Sequence, residues 1–206
     1  MKIYENKNIK IMPFTREIYD SIFIISKKLM SNTDIFTNYK NWFSDQKVTK
    51  YNDHGVTPKT RKEFDSFFDA IGNNQIICGA IIDIHNNIHI GNCTLQNINW
   101  INQSCEFSII IGESDYWGLG IATKALCVML YHGFNNLNMN RIWSGTTELN
   151  KGMLKVFEKL NFYHESIFRE AKYSNGDYVD IHQYAMLRRE FKTNENIKLI
   201  LSEFII

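Results

Sequence analysis

The chain has 206 residues, of which 44% are apolar, and a formal net charge of +1. This size fits one domain with a substantial core, and the balanced charge argues against a nucleic-acid-binding surface. The cysteines and histidines show no metal-ligand spacing, no apolar stretch is long enough for a membrane span, and the first residues show no signal core. We therefore expect a cytoplasmic protein with reduced thiols and without a metal site.

Apolar patterns along the chain predict both strands and helices. A strand at 8–14 precedes a helix capped by Thr15 that runs to about Leu29, and Thr60 begins a helix that Gly72 ends. The remaining predicted elements are strands at 75–84, 88–100, 105–111 and 141–147, helices at 119–134 and 150–159, and a closing hairpin of 162–172 and 178–189. This order indicates an α+β fold with a central mixed, mostly antiparallel sheet between layers of helices.

The most informative stretch lies between residues 105 and 134. Phe107–Ile111 reads as a buried strand, a polar break follows, and Gly118 and Gly120 stand directly before a predicted helix. Two glycines at this place leave the backbone N–H groups of the first helical turn open, and the helix dipole favours an anion there. The stretch therefore predicts a phosphate cradle built from main chain.

Two familiar phosphate-binding loops do not fit this stretch. A P-loop requires a glycine before its lysine and a hydroxyl residue after it, whereas Lys124 follows Thr123 and precedes an alanine. A dinucleotide-binding fingerprint requires a third glycine, where this chain has Thr123, and an acidic residue about 20 positions on. The next acidic residue is Glu148, which is too distant.

Residues 115–120, Asp-Tyr-Trp-Gly-Leu-Gly, resemble the acyl-CoA loop of the GNAT superfamily of N-acetyltransferases, whose pattern is Gln/Arg-x-x-Gly-x-Gly/Ala. Residues 150–162 resemble the second signature of that family, and residues 176–187 resemble the closing hairpin of its ribosomal-protein N-acetyltransferase branch. The resemblance covers 8–190, which we take as the catalytic domain. The tail, 191–206, is amphipathic and should pack on the body or on a second subunit, as in a homodimer.

The resemblance implies acetyl-CoA as the co-substrate and assigns residues to it. Backbone amides of Ile109, Ile110 and Ile111 would pair with the pantetheine arm, and Asn150 and Phe157 would lie beside that arm. Asn150 is also an ordinary helix N-cap. Asp115 stands where the family has Gln or Arg, and it could cap the helix instead. The residues implied for the pyrophosphate are Trp117, Gly118, Leu119, Gly120, Ile121, Ala122 and Thr123.

Acetyl transfer to an amine needs a base, because the ammonium form has no lone pair. Glu106 is the leading candidate, since a carboxylate among apolar residues binds a proton more readily than it does in water. The usual general acids of the family are replaced by Phe157 and Met153. Either the thiolate leaves unaided, or another hydroxyl such as Tyr163 or Tyr184 serves.

Residues 42–51 resemble the acceptor-side stretch of the same branch. Trp42, Tyr51, Asn52 and His54 would contact the acceptor, and His54 is a second candidate base. This set favours a small-molecule amine, such as an amino sugar on a nucleotide carrier. A polyamine and a protein N-terminus remain alternatives, and a non-catalytic acyl-CoA-binding module is the alternative of another class.

Overall fold

The computed structural model describes residues 1–17, 39, 41–54, 56, 60–174 and 176–205. Its contacts divide the chain into two compact units. The first holds Met1–Thr94, Ile109–Trp117 and Ile205–Ile206, and the second holds Leu95–Ser108 and Gly118–Phe204. The helix predicted from Thr15 to about Leu29 falls, beyond residue 17, outside the described residues.

The strands form a mixed sheet in the order β1-β2-β3-β4-β5-β6-β8-β7. The β5–β6 pair is parallel, whereas the β1–β2, β2–β3, β6–β8 and β7–β8 pairs are antiparallel. The strands are β1 (Tyr4–Glu5), β2 (Ile9–Pro13), β3 (Ile77–Asp83), β4 (Ile88–Asn99), β5 (Ser104–Ile111), β6 (Arg141–Thr147), β7 (Tyr163–Ser174) and β8 (Asp177–Leu187). The predicted α+β class with a mostly antiparallel sheet is confirmed.

Five α-helices accompany the strands in the described part of the chain. The helix predicted to begin at Thr60 does so through a capping box, in which Glu63 N donates to Thr60 Oγ1 and Thr60 N donates to Glu63 Oε2 at 2.7 Å. The helices are α1 (Arg61–Gly72), α2 (Ile121–Tyr131), α3 (Lys151–Lys159), α4 (Arg188–Thr193) and α5 (Glu195–Leu201). Among them, none has the length and hydropathy that a membrane crossing requires.

Aromatic side chains dominate the core of the first unit. Phe14, Tyr39, Trp42 and Phe68 are buried there, and the imidazole of His89 packs among three of these rings at centroid distances of 4.9–5.9 Å. Two of the rings meet edge to face, as Tyr39 and Trp42 do at 5.5 Å. This cluster holds the first unit together around its strands.

In the second unit, α2 is the central apolar helix. Eight of its eleven residues are buried, as expected for a helix that is apolar on most of its faces. The tail packs inside the same unit: the ring of Phe191 lies 5.0 Å from that of Phe134, and Ile197 is fully buried. Lys124 Nζ pairs with Glu203 Oε2 at 2.8 Å. Phe191 and Ile197 of the tail thus pack within their own chain, whereas Leu199 is exposed.

Candidate active site

The two glycines before α2 adopt a backbone that other residues resist. Gly118 and Gly120 both have φ of 77°, in the left-handed region. A Cβ built at either one would meet nothing within 4 Å, so the glycines are required by backbone conformation and not by crowding. Space beside both residues is open, as a cradle for an incoming group requires.

The N-terminus of α2 is uncapped among the described residues. Gly120 is the N-cap, and its carbonyl accepts the first helical hydrogen bond from Lys124 N at 3.0 Å. No described side chain accepts from the N–H groups of the first turn, and that turn has no acidic residue. Helix geometry leaves these N–H groups without partners inside the helix. They fit a phosphate group in chemistry and in sign of charge.

Asp115 does not cap α2, which corrects one of the two readings of that residue. It lies exposed in a 3-10 turn, Ser114–Tyr116, that ends before the glycines. The turn is closed by Tyr116 N donating to Glu113 O at 3.1 Å and by Trp117 N donating to Ser114 O at 3.0 Å. The carboxylate of Asp115 is exposed and does not cap α2, so the N-terminus of this helix stays open to an anion.

The end of β5 carries the residues predicted for the pantetheine arm. The register of β5 with β6 covers Ser104–Glu106 opposite Arg141–Trp143, although β5 continues to Ile111. Trp117 Nε1 donates to Ile111 O at 2.9 Å, so the indole folds back to the last residue of β5. The roles of Ile109, Ile110 and Ile111 as amide donors remain a prediction.

The carboxylate of Asp83 gathers three donors at the end of β3. Tyr116 Oη donates to Asp83 Oδ2 at 2.7 Å, Asn86 Nδ2 donates to the same oxygen at 2.6 Å, and His85 N donates to Oδ1 at 3.0 Å. Burial tends to raise the pKa of Asp83, but these hydrogen bonds outweigh it and lower the pKa below its ordinary value. Burial and the neighbouring carboxylate raise the pKa of Tyr116. Asp83 is thus ionised at neutral pH and Tyr116 is a donor.

Glu106, the predicted base, lies half-buried on β5 and is held by two amides from β4. Asn97 Nδ2 donates to Glu106 Oε2 at 2.6 Å and Gln96 Nε2 donates to the same atom at 3.3 Å. Asn97 has φ of 50°, an uncommon conformation within a strand that turns its side chain to this contact. Both hydrogen bonds are accepted by Oε2 and orient the carboxylate. No described side chain donates to Oε1, which is left to accept a proton.

Phe157 is the clearest correction. Its side chain is fully buried on α3, with its ring 4.8 Å from that of Tyr184 and 5.2 Å from that of Phe162. A ring without exposed surface belongs to the core, so we remove Phe157 from the predicted cofactor contacts. Asn150 acts as the N-cap of α3, where its Oδ1 accepts from Met153 N at 3.2 Å. Its amide nitrogen stays a predicted cofactor contact.

The candidate hydroxyls on the closing hairpin differ in exposure. Tyr163 on β7 is 69% exposed, whereas Tyr184 on β8 is half-buried. Burial, and then the charge of Glu158, raise the pKa of Tyr184, so its hydroxyl keeps its proton. Tyr184 also lies 4.8 Å from the ring of His164, whose Nε2 is 3.2 Å from His182 Nδ1. The roles of Tyr163 and Tyr184 as acids remain predictions.

On the acceptor side, Trp42 is buried and the other predicted residues are not. Trp42 is 3% exposed, and its Nε1 donates to Glu113 Oε1 at 2.9 Å. It therefore offers little surface for stacking on an acceptor, which corrects that expectation. Tyr51 and Asn52 are half-buried, and His54 is exposed with its ring edge-on to Phe43 at 5.2 Å. Their roles toward an acceptor remain predictions.

All four cysteines are free and buried. Burial raises the pKa of Cys93, Cys105 and Cys127 to about 12, and it raises that of Cys78 as well. Thiols with such pKa values stay protonated near neutral pH and are poor nucleophiles. No group of three or more His, Cys, Asp or Glu side chains that could hold a metal ion occurs in the part of the chain that the structure describes.

The chain is similar to known acetyltransferases in sequence and in fold. The family model "Acetyltransferase (GNAT) domain" matches residues 28–163. An uncharacterised N-acetyltransferase, p20, from Bacillus licheniformis is 27% identical over 179 residues, which cover 84% of this chain and 97% of p20. A spermidine N(1)-acetyltransferase from Vibrio cholerae is 29% identical over 102 residues, which cover 50% of this chain and 58% of that protein.

A solved structure shares the fold over most of the chain. Spermidine N-acetyltransferase from Vibrio cholerae, in complex with CoA and spermine, superposes with a TM-score of 0.72 at 21% identity, covering 91% of this chain and 100% of that one. An identity this low shows the fold alone. The family model supplies the rest, because it matches more than half of the chain, including the segment with Gly118 and Gly120. The chain belongs to the GNAT acetyltransferases, acyltransferases that use acetyl-CoA as co-substrate.

Proposed function

We propose that this enzyme moves the acetyl group of acetyl-CoA to a primary amine of a small molecule. The observation that carries the cofactor part is the open left-handed loop of Gly118 and Gly120 before an uncapped helix. The N–H groups of Leu119–Thr123 would hold the pyrophosphate, and the amides of Ile109–Ile111 with the side chain of Asn150 would hold the pantetheine arm. Acetyl-CoA supplies the activated acyl group as a thioester.

Glu106 is the base in this proposal. An amine must lose a proton before or during attack, and a carboxylate can accept it directly or through water. Asn97 and Gln96 both bind Oε2, so they orient the carboxylate without occupying Oε1. His54 is the second candidate, because its ring is exposed and an imidazole can accept a proton.

The acetyl group passes directly from thioester to amine. A two-step route through an acyl-cysteine needs a thiolate, and burial keeps the four thiols protonated. Both substrates must then be bound together, and most of the rate enhancement comes from holding them in position. The thiolate of CoA is a good leaving group, so the loss of the usual acid at Phe157 is tolerable. Tyr184, which stays protonated, is available to donate.

Among acceptors we propose an amino sugar. Tyr51 and Asn52 are half-buried and His54 is exposed, and their hydroxyl, amide and imidazole groups suit a polyhydroxyl ligand. Trp42 does not contribute to this proposal. A polyamine is the second candidate, because the matched relative from Vibrio cholerae is a spermidine N(1)-acetyltransferase. A protein N-terminus is the third, since a relative from Bacillus subtilis is named as a ribosomal N-acetyltransferase.

The assembly and location of the enzyme are proposals of the same kind. A spermidine N-acetyltransferase from Vibrio cholerae is described as dodecameric, which supports the expectation that this chain forms at least a homodimer. Four reduced thiols support work in a reducing compartment such as the cytoplasm.

A thiol-release assay tests the function. Free CoA is measured with purified protein, acetyl-CoA and one amine at a time: an amino-sugar nucleotide, spermidine and an N-terminal peptide. The proposal predicts release above the amine-free rate with a small molecule, and most with the amino sugar. Release with spermidine alone, or with the peptide alone, would overturn the preferred acceptor. If none of the amines raises CoA release although the protein binds acetyl-CoA tightly, the result would favour a binding module.

A further inference from the structure

The segment between β5 and the glycine loop, Gly112–Trp117, is fixed by two side-chain contacts far apart in sequence. At its start, Glu113 Oε1 accepts from Trp42 Nε1 at 2.9 Å. At its end, Tyr116 Oη donates to Asp83 Oδ2 at 2.7 Å. These bonds span 71 and 33 residues of chain, and both lie within the first unit.

We infer that Tyr116 is a positioning residue for acetyl-CoA, acting through Asp83. This inference rests on the proposed function. Tyr116 directly precedes Trp117, whose indole is bonded to Ile111 O, and the chain then runs straight into Gly118. Fixing Tyr116 thus fixes the place where the strand that carries Ile109–Ile111 gives way to the glycines. In this role Tyr116 would touch neither the acyl group nor the amine.

Asp83 is built to hold this contact. It is 6% exposed, and the Asn86 side chain and the His85 amide orient its two oxygens before Tyr116 binds. A hydrogen bond to an ionised acceptor is shorter and stronger than one between neutral groups. The end of β3 and the turn after it therefore give Tyr116 a fixed hydrogen-bond acceptor, which holds the segment Gly112–Trp117 in place.

The hydrogen bond between Tyr116 and Asp83 matters because it preorganises the segment. A loop that is already in its bound conformation does not lose conformational freedom when the ligand arrives, so the affinity rises without any new contact to the ligand. If this hydrogen bond is removed, the binding of acetyl-CoA must itself order the segment. The cost then falls on the affinity for acetyl-CoA and leaves the affinity for the amine unchanged.

The substitution Tyr116→Phe removes one hydroxyl and keeps the ring. We expect the Kd for acetyl-CoA, measured by calorimetry, to rise about fivefold, the factor that one hydrogen bond sets. The kcat at saturating acetyl-CoA and the KM for the amine should stay within about twofold, a split that a merely structural lesion would not produce. Tyr173→Phe makes the same chemical change at a residue that is 63% exposed, and it should alter none of these values.

A second variant reaches the same contact from its other partner. Asp83→Asn removes the charge that orders the three donors, and the double variant should weaken acetyl-CoA binding no more than the stronger single variant does. An unchanged Kd in Tyr116→Phe, with wild-type binding intact, would overturn the positioning role and leave the proposed function standing. Wild-type protein that binds no acetyl-CoA would instead overturn the proposed function.

Discussion

The indole of Trp42 lies against the backbone of Gly112 so closely that a Cβ built at Gly112 would fall 1.8 Å from Trp42 Cδ2. Trp42 is also bonded to Glu113, the next residue, so one side chain both covers and ties the end of β5. Trp42, which the sequence places at the acceptor, is instead a buried side chain that packs on and hydrogen-bonds the segment after β5. Gly112 has to be glycine because of this packing.

Gly112→Ala should therefore destabilise the protein. The methyl group cannot be accommodated unless the indole moves, and overpacking of this kind costs about 1–3 kcal/mol. Urea-induced unfolding measures the loss. The double variant with Trp42→Leu gives the methyl group room, so the added cost of Gly112→Ala should shrink in that background; an equal cost in both backgrounds would contradict the packing argument.

Gly120→Ala tests the loop by backbone conformation alone. The new methyl group meets no atom within 4 Å, but an L-residue at φ of 77° carries a strain of about 1 kcal/mol. We expect binding of acetyl-CoA to weaken about five- to tenfold, since the loop can relax away from its left-handed form. Gly72→Ala, another open position whose φ lies outside the left-handed region, is the matched control and should bind acetyl-CoA as the wild type does.

Glu106→Gln keeps the size of the side chain and removes its basicity. General bases contribute about 100- to 10,000-fold to rate, so kcat should fall on that scale while the Kd for acetyl-CoA stays the same. Steady-state kinetics and calorimetry measure the two quantities. Glu195→Gln, a carboxylate that is 81% exposed on α5, should leave both unchanged. Full activity in Glu106→Gln would move the base to His54.

His89 makes stability depend on pH. It is 1% exposed, its Nε2 lies 2.8 Å from Asn92 Oδ1, and burial lowers its pKa from 6.5 to about 4. Between pH 6.5 and pH 4 the imidazole of His89 is protonated in the unfolded chain but neutral in the folded chain. The contribution of His89 to the free energy of unfolding is therefore fully present above pH 6.5 and is lost as the pH falls toward 4. The wild type should lose about 2 kcal/mol between pH 7.5 and pH 5 through this group.

Urea-induced unfolding of His89→Gln at the two pH values measures that share. The variant should be less sensitive to acid than the wild type by about 2 kcal/mol, whatever its stability at pH 7.5. His85→Gln, at an exposed position, should keep the wild-type sensitivity. Equal acid sensitivity in wild type and His89→Gln would show that the buried imidazole is not the group responsible.

Direct transfer predicts resistance to alkylation. Iodoacetamide reacts with thiolates, and burial keeps Cys93, Cys105 and Cys127 protonated with pKa values of about 12. Native enzyme treated at pH 7.5 should retain its thiol-release activity, and mass spectrometry should find unmodified protein. Rapid inactivation with one alkyl group per chain, prevented by acetyl-CoA, would point to an acyl-cysteine route.

Local patterns in the sequence predict the fold well. The strand at Arg141–Thr147 has the predicted bounds, and Thr60 followed by Glu63 gives the capping box. The left-handed glycines before α2 follow from the same kind of local rule, because only glycine takes that backbone without strain. Contacts within a few residues are visible in composition and spacing.

Contacts between distant residues account for what the sequence does not predict. The hydrogen bond between Tyr116 and Asp83 joins residues 33 positions apart in the sequence, and that between Trp42 and Glu113 joins residues 71 positions apart. Trp42 stands outside any long periodic segment, so its burial cannot be read from spacing. Phe157 lies on a predicted helix, but the family pattern, not the helix face, led us to place it beside the cofactor.

A crystal structure of the enzyme with acetyl-CoA bound is the decisive experiment on the cofactor site. The diphosphate should lie on the backbone N–H groups of Leu119–Thr123, with Gly118 and Gly120 still at positive φ. A complex with the nucleotide bound elsewhere, and with those N–H groups facing water, would rule this site out.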